Sequence, residues 1–361
     1  MPPSVTVVSQ TITETSSRPL FIVNHSKTST KTDRAYDKSY KTLWGYFEHE
    51  IKWFNVFMLV ILHLYTFYLY YTIHIGKIHL LVWGILMGSI GGFGVTGGAH
   101  RYFTHRCYKA NLPLRILLML AFTSAGQNSL FEWVRDHRVH HKFSETDADP
   151  HNSKRGFFFA HCGWLMMKKH PEVLRKGKTV DCSDLLEDPV VRFHLKYFIP
   201  LRIMLCFVLP TLIPMYFWGW SFTDCLDTTI GKWITLLNCT WSVNSAAHLW
   251  GARPYNNKIC PVETKAVSFL AMGEGWHNYH HTFPWDYKAS EFSYYFNVTT
   301  FWIDVFAKLG WAYDLKQPSR DLIEKIVKKS GDGSHFEWGH DVVSEEEGVE
   351  FLQTKQYDKR I

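Results

Sequence analysis

The chain has 361 residues, of which 46% are apolar and 16% aromatic, with a net charge of +6 and a pI near 8.8. Mean hydropathy is nonetheless slightly negative, so the apolar residues must be gathered into segments, and a mild basic excess beside such segments speaks for anionic lipid and anionic substrates rather than nucleic acid. Seven scattered cysteines (Cys107, Cys162, Cys182, Cys206, Cys225, Cys239 and Cys260), odd in number and without CxxC spacing, exclude a disulfide framework and a zinc–thiolate site.

Residues 1–44 are polar, rich in Ser and Thr, and lack the apolar core of a cleavable signal, so they read as a cytosolic tail. Four later stretches are long and apolar enough to cross a bilayer as helices, which takes about 20 residues. They are Trp53–Ile75, His79–Gly98 with its Gly-rich end, the Pro-interrupted Phe198–Trp218, and Thr228–Trp250 with a polar C-terminal end. Asn111–Phe131 is apolar but interrupted by Arg115, which predicts an amphipathic helix lying at the interface. The link between the third and fourth spans carries Asp224 and Asp227 and no Lys or Arg, whereas residues 99–197 and the N-terminal tail are rich in Lys and Arg. Both tails and the large central loop should therefore face the cytosol. Tryptophans at the span ends (Trp44, Trp53, Trp218, Trp220, Trp250) fit an interfacial belt. Residues 316–361 are charged, with an acidic run at Glu345–Glu347, and read as a solvated tail.

The chain holds 20 His, and most of the excess falls in three boxes: His100-Arg-Tyr-Phe-Thr-His105, His137-Arg-Val-His140-His141 and His277-Asn-Tyr-His280-His281. Residues three and four apart share a helix face, so each HxxHH box should aim its imidazoles at one point. On an α-helix five residues turn about 500°, leaving His100 and His105 about 140° apart. That pair can bridge two metals or sit near a helix end. His248 is a further candidate, one turn after Asn244. Nine imidazoles are too many for one tetrahedral zinc; they suit two metal ions, and the lack of thiolates points to iron handling O₂. Each ligating ring needs a partner for its second nitrogen, and Glu132, Asp136, Asp147, Asp149, Glu274 and Asp286 lie near the boxes in sequence. Arg135 and Asp136, adjacent in sequence, can pair with each other on a helix surface.

At these residues the chain resembles the membrane-bound acyl-CoA desaturases of animals, the stearoyl-CoA desaturase family including its insect members. The likeness runs from about Trp44 to Asp314 through GAHRYFTHRCYKA, EWVRDHRVHHKFSETDADPHN, GFFFAHCGWLMMKKHP, NCTWSVNSAAHLWG and GEGWHNYHHTFPWDY, in that order. It implies an all-α membrane protein, with four transmembrane helices under a helical cytosolic cap that holds a dinuclear metal site, over residues 45–315. Its metal ligands, to two Fe²⁺, would be His100, His105, His137, His140, His141, His248, His277, His280 and His281, with Asn244 acting through a water. Asn55, Asn128, Arg135, Asp136, Lys168 and Lys169 would hold the CoA head group. Trp241 would line the acyl tunnel, with Gln127 and Thr240 as neighbours. The implied activity is formation of a double bond, of the delta-9 or delta-11 type, in a saturated fatty acyl-CoA within unsaturated fatty acid biosynthesis. O₂ would be the oxidant. The chain has no nucleotide fingerprint and no fused haem module, since His170-Pro171 is followed by Glu-Val, so cytochrome b5 and its NADH-dependent reductase would supply electrons at the endoplasmic reticulum membrane. The chain departs from the family pattern at two places. Tyr102-Phe103 replaces the usual Leu-Trp of the first box, and Gly88, beside Ser89, stands where many relatives close the tunnel with an aromatic ring. A missing ring should deepen the tunnel and shift the preferred chain length or double-bond position.

Overall fold

Long apolar runs with few interior charges favour helix, and helix dominates the computed structural model, which describes residues 5–8, 49–72 and 77–339. In chain order come strand β1 (Val5–Val8) and helices α1 (Trp53–Thr72) and α2 (Ile78–Phe93), the latter passing without a break into a π-helical segment, Gly94–Thr104. Then follow β2 (Lys109–Ala110), α3 (Leu112–Ser124), α4 (Leu130–Phe143) and the short helices α5 (Phe157–His161), α6 (Pro171–Gly177) and α7 (Ser183–Glu187). Helix α8 (Pro189–Arg202) continues through a second π-helical stretch, Ile203–Val208, into α9 (Leu209–Trp218), and α10 (Phe222–Leu249) follows. The C-terminal third holds α11 (Lys265–Leu270), α12 (His277–Thr282), α13 (Val298–Lys308), β3 (Ala312–Tyr313), β4 (Leu315–Pro318) and α14 (Arg320–Ser330). Strand β1 pairs in parallel with β4, and β2 pairs antiparallel with β3.

Three continuous helices among the described residues are long and apolar enough to cross a membrane: Trp53–Thr72, Ile78–Thr104 and Pro189–Trp218. Their outward faces stay apolar, with Phe57, Leu64, Val82, Ile85 and Ile199 all exposed, as lipid contact requires. The second span runs past its expected end because the π-helical Gly94–Thr104 prolongs it, and the third begins before its expected start because α8 leads into it without a break. The expected fourth span lies inside α10, which is 28 residues long but less apolar, carrying Asp224, Asp227 and Lys232. Two of these charges are tied to neighbouring helices. Lys77, at the start of α2, pairs with Asp224 at 2.6 Å, and Tyr65 of α1 donates to Asp227 at 2.5 Å. Helix α10 thereby packs against α1, α2 and α9 together.

The single interfacial helix expected at Asn111–Phe131 is instead two. Gly126 (φ 68°) ends α3 in a left-handed turn, and Ser129 starts α4 as its N-cap: its Oγ accepts from Glu132 N at 3.3 Å and donates to Glu132 Oε2 at 3.0 Å. Helix α3 is not an interface helix on its inner face, because Leu114, Leu118, Met119 and Phe122 are buried against the π-helical segment. Nor is the chain from residue 316 wholly a solvated tail. Leu322, Ile323 and Val327 of α14 are buried with Tyr255, Tyr279 and Phe283, an apolar stripe at helical spacing that a mostly charged sequence concealed. Trp44, the tail lysines and Glu345–Glu347 lie outside the described residues.

The closest backbone approach in this core is at Gly94, where a Cβ would lie 2.0 Å from Phe122 N. Gly94→Ala should therefore force α3 off the π-helical segment and cost about 3 kcal/mol, the upper range for overpacking. Thermal unfolding of the detergent-solubilised variant measures this; an unchanged midpoint would contradict it.

Candidate metal centre

The histidine boxes fall on three helical elements whose pitch decides where each ring points. In the π-helical segment the backbone bonds i to i+5, and His105 N donates to His100 O at 3.1 Å. Residues five apart thus lie almost above one another, and the two rings stand 4.9 Å apart, where an α-helix would have splayed them. On α4 and α12 the expected convergence of all three imidazoles of HxxHH does not occur. Positions i and i+4 are about 40° apart on a helix, but i+3 and i+4 are about 100° apart and cannot share one ion. Each box is accordingly divided. His137 and His141 join His100, His105 and His280 in one group, while His140 joins His248, His277 and His281 in a second. The two helices exchange contributions, and the groups abut where His141 and His281 stack 4.1 Å apart.

Within each group the inward nitrogens are too close and too alike to satisfy one another. His280 Nε2 lies 2.9 Å from His100 Nε2 and 3.1 Å from His141 Nε2. His277 Nε2 lies 3.0 Å from His248 Nε2 and 3.1 Å from His281 Nε2. One ring proton cannot serve such sets of lone pairs, and His105 Nε2 and His137 Nε2 are buried with no hydrogen-bond partner at all. Two nitrogens about 2.1 Å from one ion and at a right angle around it would be about 3.0 Å apart, which is the spacing observed. The donor set therefore fits two metal ions, one per group.

Carboxylates orient the rings from outside. Glu145 Oε1 lies 2.6 Å from His248 Nδ1, Asp149 Oδ1 lies 2.9 Å from His140 Nδ1, and Glu274 Oε2 lies 2.8 Å from His100 Nδ1. Placing the proton on each Nδ1 leaves the Nε2 lone pair facing inward. Glu274 is itself fixed by Arg101, a fully buried guanidinium that also donates to Tyr287 O, Thr300 Oγ1 and Asn297 Oδ1. Of the six carboxylates near the boxes in sequence, only Asp149 and Glu274 serve in this way. Glu132 accepts from Ser129 Oγ at the start of α4, Asp136 pairs with Arg135 and Lys169, and Asp286 accepts from Tyr279 Oη. Nothing in the sequence distinguishes Glu145 or Arg101. Glu145 is one more acid in a run of polar residues, and Arg101 reads as a basic residue inside a box.

Burial pushes the His105, His137, His141, His277, His280 and His281 rings well below the ordinary imidazole pKa, and neighbouring rings add to it. At His140 burial acts downward too, but the Asp149 carboxylate beside it leaves the ring raised. His151, between Asp149 and Trp164, is driven down to about 3 by burial and by His140.

Two large cavities flank the centre. The proximal one, of about 580 Å³, is lined by Asn55, Asn128, Asp136, Trp241 and Asn244, together with Gln127 and Thr240. Gln127 bridges the wall, donating to Thr240 Oγ1 at 3.0 Å and accepting from Trp133 Nε1 at 2.7 Å. Lys168 and Lys169 line a separate polar recess beside Arg155 and His170. Arg135 lines neither space; it pairs with Asp136 at 3.0 Å, and Lys169 pairs with the same carboxylate. The distal cavity, of about 500 Å³, lies between α1 and α2 over α10 and includes Gly88 and Ser89. Between the two, against His100, His137, Asn244 and His277, is a neck of about 60 Å³.

The fatty acid desaturase family model matches residues 76–295. Among curated proteins, the acyl-CoA Delta-9 desaturase of Acheta domesticus is 51% identical over 81% of this chain and 82% of its own length. The stearoyl-CoA desaturase of Homo sapiens is 48% identical over 88% of this chain and 89% of its own. The chain belongs to the fatty acid desaturase family. A second Acheta domesticus protein, an acyl-CoA Delta12-desaturase, is 50% identical over 80% of this chain and 82% of its own length. Relatives named for different positions are thus equally similar to this desaturase, so overall identity does not assign its double bond. Three apolar helices long enough to cross a bilayer make this desaturase a membrane protein.

Because Glu145 and Glu274 orient the His248 and His100 rings without touching the inward nitrogens, Glu145→Gln and Glu274→Gln should each weaken retention of any metal held there about 10- to 100-fold while the fold persists. Metal analysis after graded chelator treatment checks this, and retention equal to the parent's would refute it. Six rings held neutral in the fold must take up protons on unfolding once the pH drops below about 6.5, the ordinary imidazole value. Stability of the metal-free desaturase should therefore fall as pH is lowered from about 7.5 to about 5.5, the six rings outweighing three opposing groups: the raised His140 and the buried carboxyls of Glu263 and Asp286, pushed up to about 8 and about 6. Thermal melts across that range test the sign.

Proposed function

We propose that this desaturase inserts a double bond into a saturated fatty acyl-CoA, with O₂ as oxidant and two iron ions in the centre. The observation that carries the reading is the division of nine histidines into groups of five and four beside an apolar cavity. Ligands would be His100, His105, His137, His141 and His280 for one iron, and His140, His248, His277 and His281 for the other, with Asn244 completing the smaller set through a water. Asn244 lines the neck beside His277, which supports that role. All-imidazole donors without thiolate suit iron working with O₂.

Two bound irons would supply the power to remove hydrogen from an unactivated methylene. In the overall change the acyl chain gives up two hydrogens, O₂ is reduced to two waters, and two further electrons and two protons are consumed. This chain's own residues hold and aim the substrate. Trp241 and Thr240 form the wall against which the chain bends toward the neck, and orientation there decides which carbon reacts. Asn55 and Asn128 stand at the same cavity as candidate head-group contacts. Arg135, Lys168 and Lys169 would meet CoA phosphates on release from Asp136 and Glu50, their present partners. The neck's small volume excludes bulk water from the reacting carbon.

Helix α10 would be the fourth span, since its first turn is bound to the start of α2 and its length suffices. Both tails would then face the cytosol with the centre, in a protein of the endoplasmic reticulum membrane fed by cytochrome b5 and its NADH-dependent reductase. The basic cytosolic loop supports that orientation.

Expression in a desaturase-deficient yeast, with fatty acids analysed for double-bond position, tests the activity. New monounsaturated acids are expected and should vanish in His140→Ala, at least about a thousandfold down, because an incomplete ligand set leaves no oxidant. Hydroxylated acids in their place would overturn the reading.

A further inference from the structure

The distal cavity is not a closed end. Its floor is α10, at Thr228, Gly231, Lys232 and Thr235, and its walls are α1 and α2. Helices α1 and α2 both pack on α10 yet stand apart over this stretch. Glycines keep the walls thin: Gly84 and Gly88 on α2 and Gly231 on α10 present no side chain. The rim is apolar and exposed, with Ile85 60%, Phe269 69% and Val298 48% accessible. Ile85 belongs to the exposed apolar face of α2, and Phe269 of α11 and Val298 of α13 line the same cavity, so its open side gives onto the bilayer that covers α2.

Charged groups at this cavity are turned away or paired. Lys232 lends its aliphatic stem to the floor while its ammonium donates to Cys206 O at 3.3 Å and Ser124 O at 3.4 Å, neither of which lines the space. Asp224 and Asp227 are held by Lys77 and Tyr65. Entry from the centre is governed by Met272 and Leu236, which line both the neck and the distal cavity. The Met272 thioether fills the place a Cβ on Gly92 would take, 2.7 Å from it. Its backbone is fixed in the left-handed region (φ 56°), with its carbonyl accepting from Thr299 N and Thr299 Oγ1. A side chain with three rotatable bonds on an immobile backbone is suited to swing aside.

We propose that the methyl end of the acyl chain passes Met272 into this cleft and continues into the bilayer. The protein then fixes the reacting carbon by its distance from the CoA end and imposes no upper limit on chain length. This rests on the acyl-CoA reading above. A closed tunnel would measure the chain from both ends; an open cleft measures it from one.

The test uses the iron-loaded protein in phosphatidylcholine nanodiscs with O₂, NADH, cytochrome b5 and its reductase, and saturated acyl-CoAs of increasing length carrying a photoreactive diazirine at the terminal carbon. Turnover should vary less than about threefold from medium to very long chains, and label should move from the neck to residues 84–89 and then to lipid as length grows. Gly88→Phe should close the cleft, since Gly88 lines it and a Cβ there meets only Lys232 Cγ, at an ordinary contact of 3.6 Å. That variant should keep the shortest substrate within about twofold, lose very long ones by at least about tenfold and stop labelling lipid. Turnover with label confined to the proximal cavity, or an unchanged length profile in Gly88→Phe, overturns the proposal alone. No turnover and no label with any acyl-CoA would sink the acyl-CoA reading and the cleft with it.

Discussion

Nine imidazoles packed lone pair to lone pair in a dry interior form an arrangement that protons cannot stabilise, and much of this protein exists to hold it. Protonating the rings would place several like charges within about 5 Å of one another in a medium that screens them poorly. Sharing single protons leaves buried acceptors unmet. Metal cations resolve both problems, provided every ring keeps its lone pair inward. Glu145, Asp149 and Glu274 enforce this from outside, and Arg101, buried without solvent, neutralises Glu274 and ties it to Asn297 and Thr300 beside α13. The geometry of the rings is thereby anchored to α13 and the loop before it as well as to the apolar helices.

The same requirement explains two departures from regular helix. A π-helical segment places His100 and His105 on one face, and its glycines let α3 approach closely enough to brace it. Helices α4 and α12 each give two rings to one group and one to the other, so neither group forms unless both helices dock correctly. Assembly of the centre is thus a check on the tertiary fold as a whole.

Helix α10 joins the parts. It carries His248 in its last turn, Asn244 at the neck, Thr240 and Trp241 on the proximal wall, and Lys232 and Gly231 on the distal floor. A shift of this helix would move ligand, bend and cleft together, which suits an enzyme whose outcome depends on which methylene is brought to the metals. Relatives named for different double-bond positions stand at nearly equal identity to this chain.

The histidine boxes, the apolar spans and the absence of thiolate ligands were legible in the sequence, because residue type and local spacing carry that chemistry directly. The family resemblance followed from the same strings. How the histidines divide was not legible. It depends on helix pitch at Gly94–Thr104 and on the docking of α12 against α4, and both are consequences of packing between residues far apart in the chain. Glu145 and Arg101 were invisible for the same reason, since their partners His248 and Glu274 lie 103 and 173 residues away. Burial decided the rest. The residues of α14 look charged and solvated in sequence, yet one apolar stripe packs it onto Tyr255 and Tyr279. Sequence by itself determined which atoms can bind metal and which helices can meet lipid, because both are properties of single side chains and short runs. Only the tertiary structure decided which lone pairs converge and where a chain can pass, because those are distances between segments that local composition does not constrain.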